Sequence, residues 1–141
     1  MLSITNILYT TCGLLTLNTL NGIVLGTSQT IQNIYNSLPS SSNLTKYKDK
    51  IEELDIEFKL NVIQQWTDKQ NTHDIKSDVI KGIGDICIKI SDILDIINNK
   101  ISYHNTKWLA NYRNPDLDND IIILTKYNNI LNYRLFVINL I

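Results

Sequence analysis

The stretch VIKGIGDICIKISDILDIINNKI, residues 79–101, decides the fold class of this chain. Its apolar side chains recur by alternating steps of four and three, which brings them to one face of an α-helix. This seam consists of Val79, Ile83, Ile86, Ile90, Ile93, Ile97 and Ile101. Charges of alternating sign occupy the opposite face, at Asp78, Lys81, Asp85, Lys89 and Asp92. The pattern predicts an amphipathic helix with one buried side.

Patterns of the same period precede and follow this helix, while alternating strand patterns are nearly absent. The 141 residues therefore predict a single all-α domain spanning 1–141. Polar or proline-containing turns mark the boundaries between the helices. The predicted elements are helix one at about 3–38, a linker at 39–43, helix two at about 44–70, helix three at about 75–112 and helix four at about 115–139.

Helices one and two carry seams of their own. The seam of helix one is Leu17, Leu20, Val24, Thr27, Ile31, Ile34 and Leu38, and that of helix two is Leu44, Tyr47, Ile51, Leu54, Phe58, Val62 and Trp66. A second row at Ile56, Leu60 and Ile63 widens the apolar face of helix two. The charges from Lys46 to Lys59 predict an exposed face. Favourable ion pairs are expected between Lys48 and Glu52 and between Asp55 and Lys59.

Short connections between long helices favour antiparallel neighbours, so the expected architecture is an up-down-up-down four-helix bundle. Seam spacing near 3.5 residues favours coiled-coil-like packing. Helix four is expected to begin at Pro115 with Asn114 as its cap. Helix three, the longest, would extend roughly 57 Å and overhang its neighbours. A second subunit is the simplest cover for that overhang.

The first 45 residues contain no charged side chain, and all 27 charges lie between Lys46 and Arg134. Such a segment must be shielded, and three explanations stay open: a helix buried in protein, a membrane helix at about 7–25, or a cleaved signal. Burial in protein is favoured, because Asn18 and Asn21 would need hydrogen-bond partners inside lipid.

The net charge of −1 supplies no electrostatic footprint for nucleic acid or for an anionic membrane surface, so neither is expected as a primary partner. No Glu-x-x-His, G-x-S-x-G or phosphate-loop motif occurs, so no catalytic residue, metal, cofactor or small-molecule ligand is expected. His73 and His104 are far apart in sequence, so neither is expected to be a metal ligand. Cys12 and Cys87 lie in apolar segments and are expected to be buried thiols in an intracellular, reducing compartment.

These observations favour a non-enzymatic protein that acts through protein–protein contacts, with self-association as a structural or assembly component. The alternative is membrane association through residues 7–25. A ligand site lined by Asn18, Asn21 or His104 is the weakest option. Isoleucine and asparagine are over-represented, at 24 and 18 residues, as in AT-rich genomes such as those of large DNA viruses, protists and AT-rich bacteria. The candidate interaction residues are Ile4, Leu8, Leu15, Gly22, Gly26, Trp108, Tyr112, Arg113, Phe136 and Ile138.

Overall fold

The protein is represented by a computed structural model that describes residues 16–38, 42–70, 77–107 and 116–140. Within these ranges every regular element is an α-helix, which confirms the predicted all-α class. The helices are α1 (Leu17–Ser37), α2 (Ser42–Glu53), α3 (Ile56–Lys69), α4 (Ser77–Asn105) and α5 (Asp118–Val137). Predictions for the start of helix one and for the turn before helix four lie outside the described residues.

The first described helix begins at Leu17, and Thr16 before it is not helical, so predicted helix one is interrupted at Thr16, and its part before that residue lies outside the described residues. Thr16 has an extended backbone, with φ −95° and ψ 167°. Its hydroxyl accepts from the backbone N–H of Thr19 at 3.2 Å, and the Thr19 hydroxyl accepts from the Thr16 N–H at 2.8 Å. This reciprocal cap satisfies backbone donors that a helix start leaves unpaired, and it fixes the start at this position.

Predicted helix two is divided into α2 and α3, which corrects both its continuity and its buried face. Asp55 lies in the left-handed region, at φ 55° and ψ 36°, between the two helices. The break changes the helical phase, so Phe58 from the predicted seam is exposed while Lys59 from the predicted charged face is buried. The Lys48–Glu52 ion pair forms at 3.9 Å. Lys59 instead bonds to a backbone carbonyl and to α5.

The last two helices are shorter than predicted. Helix α4 ends at Asn105, where three-residue turn bonds replace the helical ones, and residues 108–112 of the prediction lie outside the described ranges. Helix α5 begins at Asp118, and Leu117 just before it is fully buried in the core, while the predicted start at Pro115 lies outside the described residues. Helix α5 ends in a left-handed Asn139, with the N–H of Leu140 bonded to the carbonyl of Leu135 at 2.9 Å.

All five helices contribute to one hydrophobic core, and α4 is at its centre. Helix α4 packs extensively against α1 and α5, while α1 also packs against α3 and α2 touches α5. Within the described ranges α3 and α4 make no comparably extensive contact, although the sequence predicted consecutive helices to be neighbours. The seams predicted for helices one and three are confirmed, since from Leu20 and Ile83 onward every member is buried.

Candidate interaction surface

Helix α5 is apolar on more than one side, because its sequence DNDIIILTKYNNILNYRLFV contains apolar residues in every turn. One side faces the bundle: Ile121, Leu124, Asn128, Leu131 and Leu135 are buried, at steps of three and four. Burying that seam accounts for the contact with α4. Most residues on the other side of the same helix are exposed.

A second set of residues with steps of four and three follows the opposite side of α5. We call it the outer stripe, and it consists of Ile122, Lys126, Asn129, Tyr133 and Phe136. At 100° per residue its centre lies roughly 140° around the helix from the buried seam. The exposed fractions are 65% for Ile122, 69% for Tyr133 and 68% for Phe136. Val137, next to the stripe, is also exposed. Exposed apolar residues that follow one line mark an interaction surface more strongly than scattered ones do.

A cleft of about 340 Å³ adjoins the stripe at Tyr133, between the first half of α4 and the end of α5. Gly82 lines it, and a Cβ atom at that position would meet nothing within 4 Å. Arg134 crosses it and donates to the carbonyl oxygen of Gly82 at 2.5 Å. Val79 and Val137 give the cleft apolar walls, so the surface near Tyr133 is concave and mostly apolar.

The structure separates the sequence-predicted interaction residues. Phe136 lies in the outer stripe, whereas Ile138 is half-buried against the core. Gly22 and Gly26 lie on the exposed side of α1, and a Cβ at either would meet nothing within 4 Å. Within the described ranges, therefore, neither glycine serves a close helix approach. The other predicted residues, which lie outside the described ranges, are Ile4, Leu8, Leu15, Trp108, Tyr112 and Arg113.

Sequence reasoning did not identify Ile122, Asn129 or Tyr133 as members of the surface. The signal was present as a second run of steps of four and three in α5, offset by one or two residues from the first. A sequence alone does not say which of two seams faces the core. The structure decides it, because Leu124 and Leu131 are fully buried while Tyr133 is not.

Two buried polar residues, Lys59 and Asn128, connect α3 to α5. The Lys59 ammonium donates to the Leu54 carbonyl and to Asn128 Oδ1, both at 2.7 Å. Burial lowers the pKa of Lys59, although Asp55 partly opposes this effect. The carbonyl of Leu54 lies between α2 and α3, where the α-helical hydrogen-bond pattern is interrupted. Lys59 therefore joins the end of α2 to α5.

The remaining candidates for chemistry lie apart from one another. Cys87 is completely buried, and burial raises the pKa of its thiol to about 12. His104 is buried near the end of α4, and the adjacent Asn105 bonds to Ser37 at the end of α1. Asn21 lies near the start of α1, where Thr67 donates to it at 2.5 Å. Asn18, Asn21 and His104 therefore do not share a site.

Two absences concern only the part of the chain that the structure describes. There, no cluster of three or more His, Cys, Asp or Glu side chains could hold a metal ion. No helix in the same ranges combines the length and apolarity needed to cross a bilayer. The segment predicted as a membrane helix, 7–25, is interrupted by the extended backbone of Thr16. Leu20 and Val24, in its second half, pack into the protein core.

No protein-family model, curated protein or solved structure is significantly similar to this chain.

Proposed function

We propose that this chain is a non-enzymatic, intracellular helical-bundle protein that acts through protein–protein contacts. Its role is that of a self-associating structural or assembly component. The single observation that carries the proposal is the outer stripe of α5, where Ile122, Tyr133 and Phe136 are each about two-thirds exposed along one line. Burying such a surface in a contact stabilises the complex by roughly 25 cal/mol per Å² of apolar area removed from water.

We also propose that the bundle has up-down-up-down helix directions. Contacts between α1 and α3 support opposite directions for these two helices. Asn21, near the start of α1, bonds to Thr67 near the end of α3. Gln32, further along α1, bonds to Glu57 near the start of α3.

Contacts between α4 and α5 support the same proposal. Lys100, near the end of α4, bonds to Asp120 at the start of α5 at 2.7 Å. Arg134, near the end of α5, bonds to Gly82 near the start of α4. The steps of three and four in the buried faces support coiled-coil-like packing. This architecture directs the outer stripe away from the bundle.

Sedimentation equilibrium of the full chain between 1 and 100 µM tests the proposal. We expect the weight-average mass to rise above the 16.2 kDa of a single chain. The variant Phe136→Ser should weaken association, because it removes an exposed aromatic side chain from the stripe. Aromatic side chains, phenylalanine among them, are enriched at the cores of protein interfaces.

The matched control is Phe58→Ser on α3. Phe58 is 57% exposed, close to the 68% of Phe136, but lies on a different helix outside the stripe. We expect this variant to associate like the wild-type chain. A wild-type chain that remains at the monomer mass up to 100 µM would overturn the proposed function. Equal effects of the two substitutions would overturn the assignment to α5.

A further inference from the structure

We propose that the outer stripe binds the outer stripe of a second copy, with the two α5 helices antiparallel and a two-fold axis near Asn129. This inference rests on the proposed function and specifies its geometry. Each copy would contribute the same five residues to one isologous contact.

The spacing of the stripe supports a helix as the occupant. Its steps of four and three place Ile122, Asn129 and Phe136 at one heptad position and Lys126 and Tyr133 at the other. Two helices that share such a pattern pack side by side along the seam. The stripe spans 15 residues of α5, from Ile122 to Phe136, which gives the seam a length of roughly 22 Å.

The single charge of the stripe selects the antiparallel direction. In a parallel pair each Lys126 would face its own copy, and two like charges would approach each other in a partly dry contact. In an antiparallel pair centred on Asn129, Lys126 of one copy lies within one residue of the level of Tyr133 of the other, because one precedes the axis by three residues and the other follows it by four. A lysine over a tyrosine ring is stabilised by roughly 0.5–2 kcal/mol.

The remaining positions also match in the antiparallel register. Ile122 precedes Asn129 by seven residues and Phe136 follows it by seven, so each apolar end of one stripe faces an apolar end of the other. Asn129 then faces Asn129, where two carboxamides can donate and accept reciprocally. One asparagine in an apolar seam is a known determinant of helix register. The opposed helix dipoles add a smaller favourable term.

Residue-specific cross-linking with a short bis-maleimide reagent tests the geometry on the full chain. All variants carry Cys12→Ser, and Cys87 is fully buried and so shielded from the reagent. Ile122→Cys and Phe136→Cys are prepared with different tags and treated alone and as a mixture. We expect covalent dimers in the mixture only, as tag-heterogeneous pairs. Asn129→Cys should cross-link alone, because it lies at the proposed two-fold axis.

The outcomes separate this inference from the proposed function. Dimers by sedimentation that cross-link through Ile122→Cys alone would be parallel, and they would overturn the antiparallel geometry only. Dimers by sedimentation without cross-links at any of the three positions would use another surface and would overturn the use of the stripe. A monomer without cross-links, including one whose stripe is covered by residues 1–15, would overturn both proposals.

Discussion

The ammonium group of Lys59 donates a 2.7 Å hydrogen bond to Oδ1 of Asn128, and this bond joins α3 to α5. The same ammonium bonds to the Leu54 carbonyl at the break between α2 and α3. Lys59, which the sequence placed on the charged surface, is thus buried and connects α3 to α5. One side chain therefore contacts both the helix break and α5.

We expect Lys59→Met to lower the free energy of unfolding by about 1–3 kcal/mol, because it leaves the Leu54 carbonyl and the Asn128 oxygen unpaired in a buried site. Chemical denaturation measures this change. The exposed Lys50→Met on α2 is the matched control and should change stability by less than about 0.5 kcal/mol. The double variant Lys59→Met/Asn128→Leu should lose less stability than the sum of its single variants. Strict additivity would contradict the proposed connection.

At position 55 the glycine variant should be more stable than the alanine variant, which is the reverse of the order inside a helix. Its φ of 55° is costly for a side chain with a Cβ atom, whereas glycine adopts it freely. We expect Asp55→Gly to be more stable than Asp55→Ala by about 1 kcal/mol in thermal or denaturant unfolding. At Asp49, inside α2, the same pair should show the opposite order by a similar amount. An alanine preference at both positions would mean that Asp55 is helical.

Tyr35 should ionise later than an ordinary tyrosine. Burial, followed by the nearby Glu57 and Glu52 carboxylates, raises its pKa to about 12 from 10.0. The folded protein therefore holds this proton at pH values where the unfolded chain has lost it, and the resulting stability falls as the pH rises from 10 to 12. Absorbance titration of the phenolate should show a late transition among the seven tyrosines. Tyr35→Phe should remove it, and a late transition that persists in this variant would belong to another residue.

Cys87 should be unreactive in the folded protein. Its side chain is fully buried, and its thiol pKa is raised to about 12 by that burial. In a Cys12→Ser background, we expect labelling of the Cys87 thiol at pH 8 to be at least about a thousandfold slower than in denaturant. Labelling requires an unfolding event that exposes the thiol, and each ~1.4 kcal/mol of free energy for that event slows labelling tenfold. The additional variant Asn33→Cys, exposed on α1, should label rapidly. Comparable rates for both thiols would show that the centre of α4 is accessible.

Much of the fold was predictable because a helix seam is a local pattern. Ile83, Ile90 and Ile97 in α4 and Leu20 and Ile31 in α1 are buried as their spacing predicts. The positions at which helices begin and end were less predictable. The sequence Leu-Asp-Ile around position 55 contains no glycine or proline, so the break between α2 and α3 has no helix-breaking residue that would predict it.

By itself the sequence determined that this chain is helical, and it determined the principal buried face of α1 and of α4. A row of apolar side chains at helical spacing is removed from water when the helix forms and turns that face toward the core. Tertiary structure decided that α4 packs between α1 and α5, that Lys59 points inward, and that Tyr133 and Phe136 face outward. These features depend on which of several similar apolar surfaces meet, and competing contacts between distant segments decide that choice.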